Sequence, residues 1–376
     1  MQGTERKALA LFSGGGTGGH VYPGLAVLDR VRELGGVDVA WIGSTDGMER
    51  DILTSLGIAY YAIPAGKLRR YLSLRTITDV FRVLAGLLRS IGIVRKLGPS
   101  VLFSKGGFVS VPPVVAARLL GVPVISHESD ADPGLATRIN ARFSARILVP
   151  YEQTREHLPA ALRDRVVVTG NPLRPEILAG RRDAGLEFLG FDRSDPRPVV
   201  CFLGGSLGAV QLNEVVTALA DRIGVSWRIV HQTGRHEIQR ANGADYHAAE
   251  FFGAELPDVL ACADVVVCRA GASTIWEGAA LGKPMLLVPL SSGSRGDQLR
   301  NAAIFERAGA ARVFTDARSL PGDIERTLDD FARDPAIREE LGRRAKEVVR
   351  LDATGVITDL IGAYLGHRPE PSGRKE

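Results

Sequence analysis

The sequence predicts an α/β protein of two doubly wound domains, each a parallel sheet with helices on both faces. Three observations support this. Short apolar runs of strand length alternate with helical stretches along the chain. The scheme occurs twice, and each half opens on a strand followed directly by a glycine loop. At 376 residues the chain exceeds one typical domain and is comfortable for two.

In the first half, residues 8–12, 39–43, 101–104, 122–127 and 147–149 read as buried strands, with helical patterns over 24–34 and 77–97. In the second, residues 199–203, 227–233, 264–268 and 285–289 repeat the scheme. The join falls in Gly170-Asn171-Pro172-Leu173-Arg174-Pro175, where two prolines stop regular structure. The expected division is 1–168, 169–350, a helix within 351–366, and a tail over 367–376 too rich in Pro, Gly and charge to order. Ligands of such sheets lie at the C-terminal ends of the strands, so two domains facing a central cleft would hold them there.

Composition narrows the function. Apolar residues make up 45% and charged residues 24%, enough for a sizeable core, while 6% aromatic content argues against a nucleic-acid stacking platform. Cys201, Cys262 and Cys268 form no CxxC pair and read as reduced, buried thiols of a cytosolic protein. No apolar run reaches the roughly 18–20 residues of a membrane span, and the first residues carry no secretory pattern. Net charge is +4, yet residues 67–96 alone hold eight basic residues and one acid, Asp79. Arg75, Arg82, Arg89 and Lys96 recur every seven residues, and Ile77, Val80, Leu84, Leu87, Ile91 and Val94 mark the opposite, core-facing side. A solvated helix face accounts for that stripe. The leucines and tyrosine in Lys67-Leu68-Arg69-Arg70-Tyr71-Leu72 favour contact with an anionic membrane surface.

The loop Gly14-Gly15-Gly16-Thr17-Gly18-Gly19-His20 lets a ligand approach the backbone closely and aims a helix N-terminus at it, which suits phosphate. It also satisfies G-x-G-x-x-G, so an NAD-linked oxidoreductase is an alternative. The ribose-binding acid of that reading would be Asp46, which falls late. His20 is a candidate general base, kept neutral by the helix terminus, although a lone histidine is more often structural. Gly204-Gly205-Ser206 offers a hydroxyl and amides suited to diphosphate. Ser273 and Thr274 suit the start of the helix after 264–268, and Glu277 is placed to take both hydroxyls of a ribose or to pair with the helix dipole. His127-Glu128-Ser129-Asp130 ends a strand, and Asp130-Ala131-Asp132 is formally a D-x-D. With no further ligand cluster these aspartates read as turn formers or sugar-hydroxyl acceptors, and no metal site is predicted.

Together these motifs, with Tyr22-Pro23-Gly24-Leu25-Ala26, Lys105-Gly106-Gly107-Phe108-Val109-Ser110, Gly170–Arg174, Arg269-Ala270-Gly271 and Gln298 before Asn301-Ala302, resemble the MurG family over roughly residues 8–365. The resemblance implies a GT-B glycosyltransferase fold, with the last helix returning to the first domain. It implies UDP-GlcNAc as donor and lipid I, the undecaprenyl-linked muramoyl-pentapeptide, as acceptor. It implies a peripheral position on the cytoplasmic face of the membrane, held by anionic inner-leaflet phospholipids. No cofactor is implied; a divalent cation assisting transfer has no predicted site. On matching positions, Ser206 and Arg174 meet the diphosphate, Glu277 the ribose, the backbone near Phe252 and Ala272 the uracil, and Gln298 the sugar hydroxyls. Thr17, Gly18 and Gly19 line the donor–acceptor side, with His20 near the acceptor as leading base and Glu128 second. Asp130 and Leu207 depart from the residues common in the family, Asn and Gln, as does Ser294-Arg295-Gly296-Asp297-Gln298. Another GT-B UDP-sugar transferase with a different acceptor shares the donor half of this pattern.

Overall fold

The computed structural model describes residues 7–66, 74–205, 208–236, 240–290 and 296–366. The chain divides into two compact units, Met1–Pro172 with Asp352–Glu376, and Leu173–Leu351. The first holds β1 (Ala8–Ser13), β2 (Val37–Ser44), β3 (Ala59–Ile63), β4 (Val101–Ser104), β5 (Val124–His127), β6 (Arg146–Val149) and β7 (Val166–Val168). These pair in parallel in the order β3-β2-β1-β4-β5-β6-β7. The second holds β8 (Val199–Leu203), β9 (Arg228–Gln232), β10 (Tyr246–Ala249), β11 (Val265–Cys268), β12 (Met285–Leu287) and β13 (Ala311–Val313), parallel in the order β10-β9-β8-β11-β12-β13. The chain reverses its direction of winding between β1 and β4, and again between β8 and β11. Adjacent loops diverge there and leave a crevice at the strand ends.

The interior strands are buried on both faces, as parallel strands between helical layers must be; β8 and β11 have no exposed residue. The strands that the apolar pattern does not predict are β3, β7, β10 and β13, and these are the four sheet edges. They are three to five residues long and mostly half-buried, so they lack a continuous apolar run.

Helix α1 (Gly18–Arg32) starts six residues before the predicted Gly24. Val21, Leu25, Leu28 and Val31 bury one face of it, and that packing carries the helix through Pro23, which has no N–H for the Gly19 carbonyl. The last helix, Ala353–Leu365, contributes Ile357 and Ile361 to the same core as β1, β2 and β4. α2 (Met48–Ser55), α3 (Leu74–Leu97) and α4 (Val111–Leu119) complete the helices the site depends on.

α3 corrects one expectation. Val94 is buried and Leu87 and Ile91 pack beside it, but Val80 and Leu84 are 46% and 52% exposed, with Phe81 at 67% and Leu88 at 72%. The side chain of Ile77 lies outside the described residues. Periodicity predicts the helix, whereas close approach decides its rotation. Gly86 lies against the Pro64 carbonyl and Pro112, where a side chain would collide, and Ser90 Oγ donates to the Gly86 carbonyl at 2.7 Å. Gly86 and Ser90 therefore face inward with Leu87, Ile91 and Val94, while Val80, Phe81, Leu84 and Leu88 remain outside.

In the second unit, His231 of β9 bridges Tyr246 Oη (Nδ1, 3.0 Å) and Asn213 Oδ1 (Nε2, 2.8 Å), while Asn213 Nδ2 donates to the Thr233 carbonyl at 3.0 Å. Burial pushes the His231 pKa down to about 4. Between pH 6.5 and about 4 the unfolded chain therefore takes a proton that the folded chain refuses, and stability falls as pH falls, by about 1.4 kcal/mol per pH unit once well below 6.5. Chemical denaturation should show lower unfolding free energy at pH 5 than at pH 7. His231 should keep the NMR signature of a neutral ring at pH 5; a protonated ring there would contradict the network.

Candidate active site

Three loops converge at the first unit's crevice, those following β1, β4 and β5. Thr17, exposed and extended, is the N-cap of α1, and Gly18 and Gly19 are its first helical residues. Their N–H groups belong to the turn that an α-helix leaves without intrahelical acceptors. His20 follows, partly exposed, with its Nδ1 shut off from solvent. Its ring rests on Gly107, where a Cβ would stand 3.1 Å from His20 Cδ2 and 2.6 Å from the Gly15 carbonyl; Gly107 also has φ +79°. Only glycine allows that backbone to support the imidazole so closely.

Lys105 is buried beneath this loop and donates from Nζ to Ser129 Oγ. Burial pushes its ammonium down to about 8, against the pull of Glu128 and Asp130. Burial first, and then the charge of Lys105, push His20 down to about 4; Glu128, the Lys105 backbone and Glu49 oppose this. His127 is also held well below its ordinary value by burial, with its Nε2 on the Gly170 carbonyl at 2.9 Å. Around neutrality the crevice thus presents a neutral imidazole above a charged lysine.

Glu128 is fully committed to its loop. Its Oε1 accepts from the Ser129 and Asp130 N–H groups at 2.7 and 3.0 Å, and its Oε2 from Gly134 N–H at 3.0 Å. A carboxylate holding three amides organises the loop that carries Asp130. Asn171 ties the same loop to the chain joint, donating from Nδ2 to the Ser129 carbonyl at 3.0 Å. Asp132 pairs with Arg138 at 2.6 Å.

The glycine loop is held from behind by residues that carry no sequence motif. Trp41 Nε1 donates to the Gly14 carbonyl at 3.0 Å. Glu49, fully buried, accepts from Gly16 N–H at 3.2 Å and from Ser44 N–H and Oγ at 3.0 and 2.6 Å. A carboxylate therefore occupies part of the cradle a dinucleotide pyrophosphate would need, which counts against the NAD-linked reading. Burial of an acid is not visible in sequence; the only available signal for Lys105 is a lone lysine between an apolar strand and two glycines.

In the second unit, Arg174 Nε and Nη2 donate to Glu277 Oε1 at 3.1 and 2.9 Å, with both side chains largely shielded. Burial raises the Glu277 pKa and the Arg174 charge pulls it back. Glu277 lies in the helix Ala272–Ala280, whose first turn holds Ala272, Ser273 and Thr274 after the N-cap Gly271, so none of these side chains caps it. Gln232, not singled out by the sequence, donates from Nε2 to the Gly205 carbonyl at 2.9 Å while its Oε1 faces the N–H of buried Phe252 at 3.5 Å. It links the second glycine loop to the backbone at Phe252. Gln298 accepts from Leu290 N–H at 2.8 Å. Arg269 donates to Gln211 Oε1 and to the Val288 carbonyl at 2.9 and 3.0 Å. Ser206, Leu207, Ser294, Arg295, residues 67–73 and 367–376 lie outside the described residues, as does the side chain of Arg75.

Residues 10–149 match the glycosyltransferase family 28 N-terminal domain and residues 199–353 the family 28 C-terminal domain. Over 343 residues the chain is 44% identical to the UDP-N-acetylglucosamine–N-acetylmuramyl-(pentapeptide) pyrophosphoryl-undecaprenol N-acetylglucosamine transferase of Treponema denticola, covering 85% of this chain and 87% of the relative. It is 46% identical over 306 residues to transferase 2 of the same name from Bacillus cereus, covering 81% and 85%. The crystal structure of Acinetobacter baumannii MurG superposes with a TM-score of 0.73 at 25% identity, covering 95% of this chain and 99% of that one. The two parallel-sheet units are those of a GT-B fold. The chain belongs to glycosyltransferase family 28 and, within it, to the MurG family.

Proposed function

We infer that this chain is a hexosyltransferase that moves GlcNAc from UDP-GlcNAc to lipid I and so forms lipid II for peptidoglycan. The observation that carries this is its relationship, across both units, to transferases bearing that name. The geometry of each unit supports a division of labour.

The second unit would hold the donor. Glu277 Oε1 is engaged by Arg174, leaving Oε2 for the ribose hydroxyls, while the guanidinium stays beside a diphosphate. Ser206 and the N-terminus of the helix Val210–Ile223 would complete the diphosphate site. Phe252 and Ala272 would meet the uracil through their backbones, Ser273 and Thr274 would line the helix start, and Gln298 would hold the sugar hydroxyls through its amide nitrogen. The first unit would hold the acceptor at Thr17, Gly18 and Gly19, with Asp130 placed to accept from a sugar hydroxyl. In an inverting displacement, the muramoyl O4 bonds to the anomeric carbon as the bond to UDP breaks. The hydroxyl proton passes to His20, through Nε2 because Nδ1 is enclosed. A base neutral throughout the physiological range is ready for that step, and Arg174 offsets the charge developing on the diphosphate.

The outer face of α3 would seat the enzyme on the membrane. Phe81, Leu84 and Leu88 stand exposed beside exposed Arg82 and Arg89, an apolar surface with basic flanks suited to anionic phospholipid on the cytoplasmic side. Among the described residues no helix is long and apolar enough to cross a membrane.

Replacing His20 with Ala should lower kcat by roughly two to four orders of magnitude with little change in donor KM; a near-normal kcat on lipid I would remove His20 as base. Glu277→Gln should raise the KM for UDP-GlcNAc about tenfold or more by losing charge-assisted ribose bonds, leaving the lipid I KM unchanged. Steady-state kinetics with each substrate varied checks this, and an unaltered donor KM contradicts it. Reversing Arg82 and Arg89 to Glu should weaken binding to anionic vesicles at low salt by roughly thirtyfold or more. Sedimentation with vesicles reads this directly, and unchanged binding would move the membrane surface elsewhere.

A further inference from the structure

Lys105 touches all three loops of the first unit's crevice. Its N–H donates to the Ser13 carbonyl at 2.8 Å, and its Cβ lies 3.2 Å from where Gly14 would carry one. The two residues after it, Gly106 and Gly107, form the shelf under the His20 ring. Its ammonium reaches Ser129, next to the loop organiser Glu128, and is buried to 1% exposure. No step of transfer uses it directly, yet an ammonium in so enclosed a place is costly unless something offsets it.

We propose that Lys105 is a positioning residue for transfer, one that keeps the His20 imidazole uncharged and locks the loop bearing Glu128 and Asp130 against the glycine loop. The charged groups facing His20 are Lys105 from the end of β4, Glu128 from the loop after β5 and Glu49 from α2. The two carboxylates favour an imidazolium; Lys105 opposes it. With Lys105 absent, only the desolvation that comes with burial would oppose the two carboxylates, and the imidazole would take its proton at a higher pH. In the other direction, Glu128 and Asp130 keep the lysine charged, so the cluster is stable only as a set.

The inference rests on the reading of His20 as base, and the test separates the two. In Lys105→Met, NMR titration of His20 in the unliganded enzyme should show its midpoint raised by roughly one to three pH units, the size of a lost like-charge neighbour. Lys105→Arg, which restores the charge, should return it toward the wild-type value. The acid limb of kcat/KM should follow the NMR midpoint in both variants, whereas a merely structural lysine would lower the rate equally at every pH. Amide NMR dispersion of first-unit residues, compared with wild type, reports correct folding. If Lys105→Met does not fold, the wild-type His20 resonances should still show a second inflection near pH 8 as Lys105 discharges. An imidazole that ignores both the substitution and the lysine's titration overturns the inference. An imidazole that moves while the rate profile stays fixed removes His20 as the base and overturns the role of Lys105 in transfer.

Discussion

Everything the site does follows from one topological constraint, the reversal of winding between β1 and β4 in one sheet and between β8 and β11 in the other. Parallel strands need crossovers, and a right-handed crossover packs its helix on a face decided by the direction of winding. Where that direction changes, neighbouring loops part and leave the strand ends open. In the first unit the gap is bounded by the glycine loop after β1 and by Lys105-Gly106-Gly107 after β4. In the second it is bounded by the loop after β8 and by the segment that leads to Glu277. The chemistry sits where the backbone cannot close over itself.

Open strand ends collect polar groups that must be offset from within. The first unit does this with buried charges of both signs: Glu49 holds Gly16 and Ser44, Glu128 holds three amides, and Lys105 lies among Glu128, Asp130 and His20. The second does it with the Arg174–Glu277 pair and the Gln232 bridge. Breaking one partner of such a buried set costs more than the set contributes, so replacing these residues singly is expected to be costly on electrostatic grounds alone.

The interior of both sheets was legible in the sequence, because a strand buried on both faces must be apolar throughout. The edges were not: β3, β7, β10 and β13 are short and half-exposed, and their pattern merges with that of loops. Glycine loops marked both crevices, since only small residues allow their geometry, and the histidine and acids beside them followed from position. The second row of residues was hidden. Glu49, Lys105 and Gln232 act through burial and through partners 24 to 33 residues away, such as Gly16, Ser129 and Gly205, and a linear pattern carries no trace of that pairing. The same limit explains α3, whose periodicity announced a helix while the tight contact at Gly86 chose which face turned outward.

The most direct test of the account is product formation by the purified chain supplied with isotope-labelled UDP-GlcNAc and lipid I in anionic vesicles. The account predicts label in a lipid-linked disaccharide with one UDP released per sugar transferred. Label found only as free GlcNAc, or transfer to a soluble sugar acceptor with lipid I left unchanged, would contradict it.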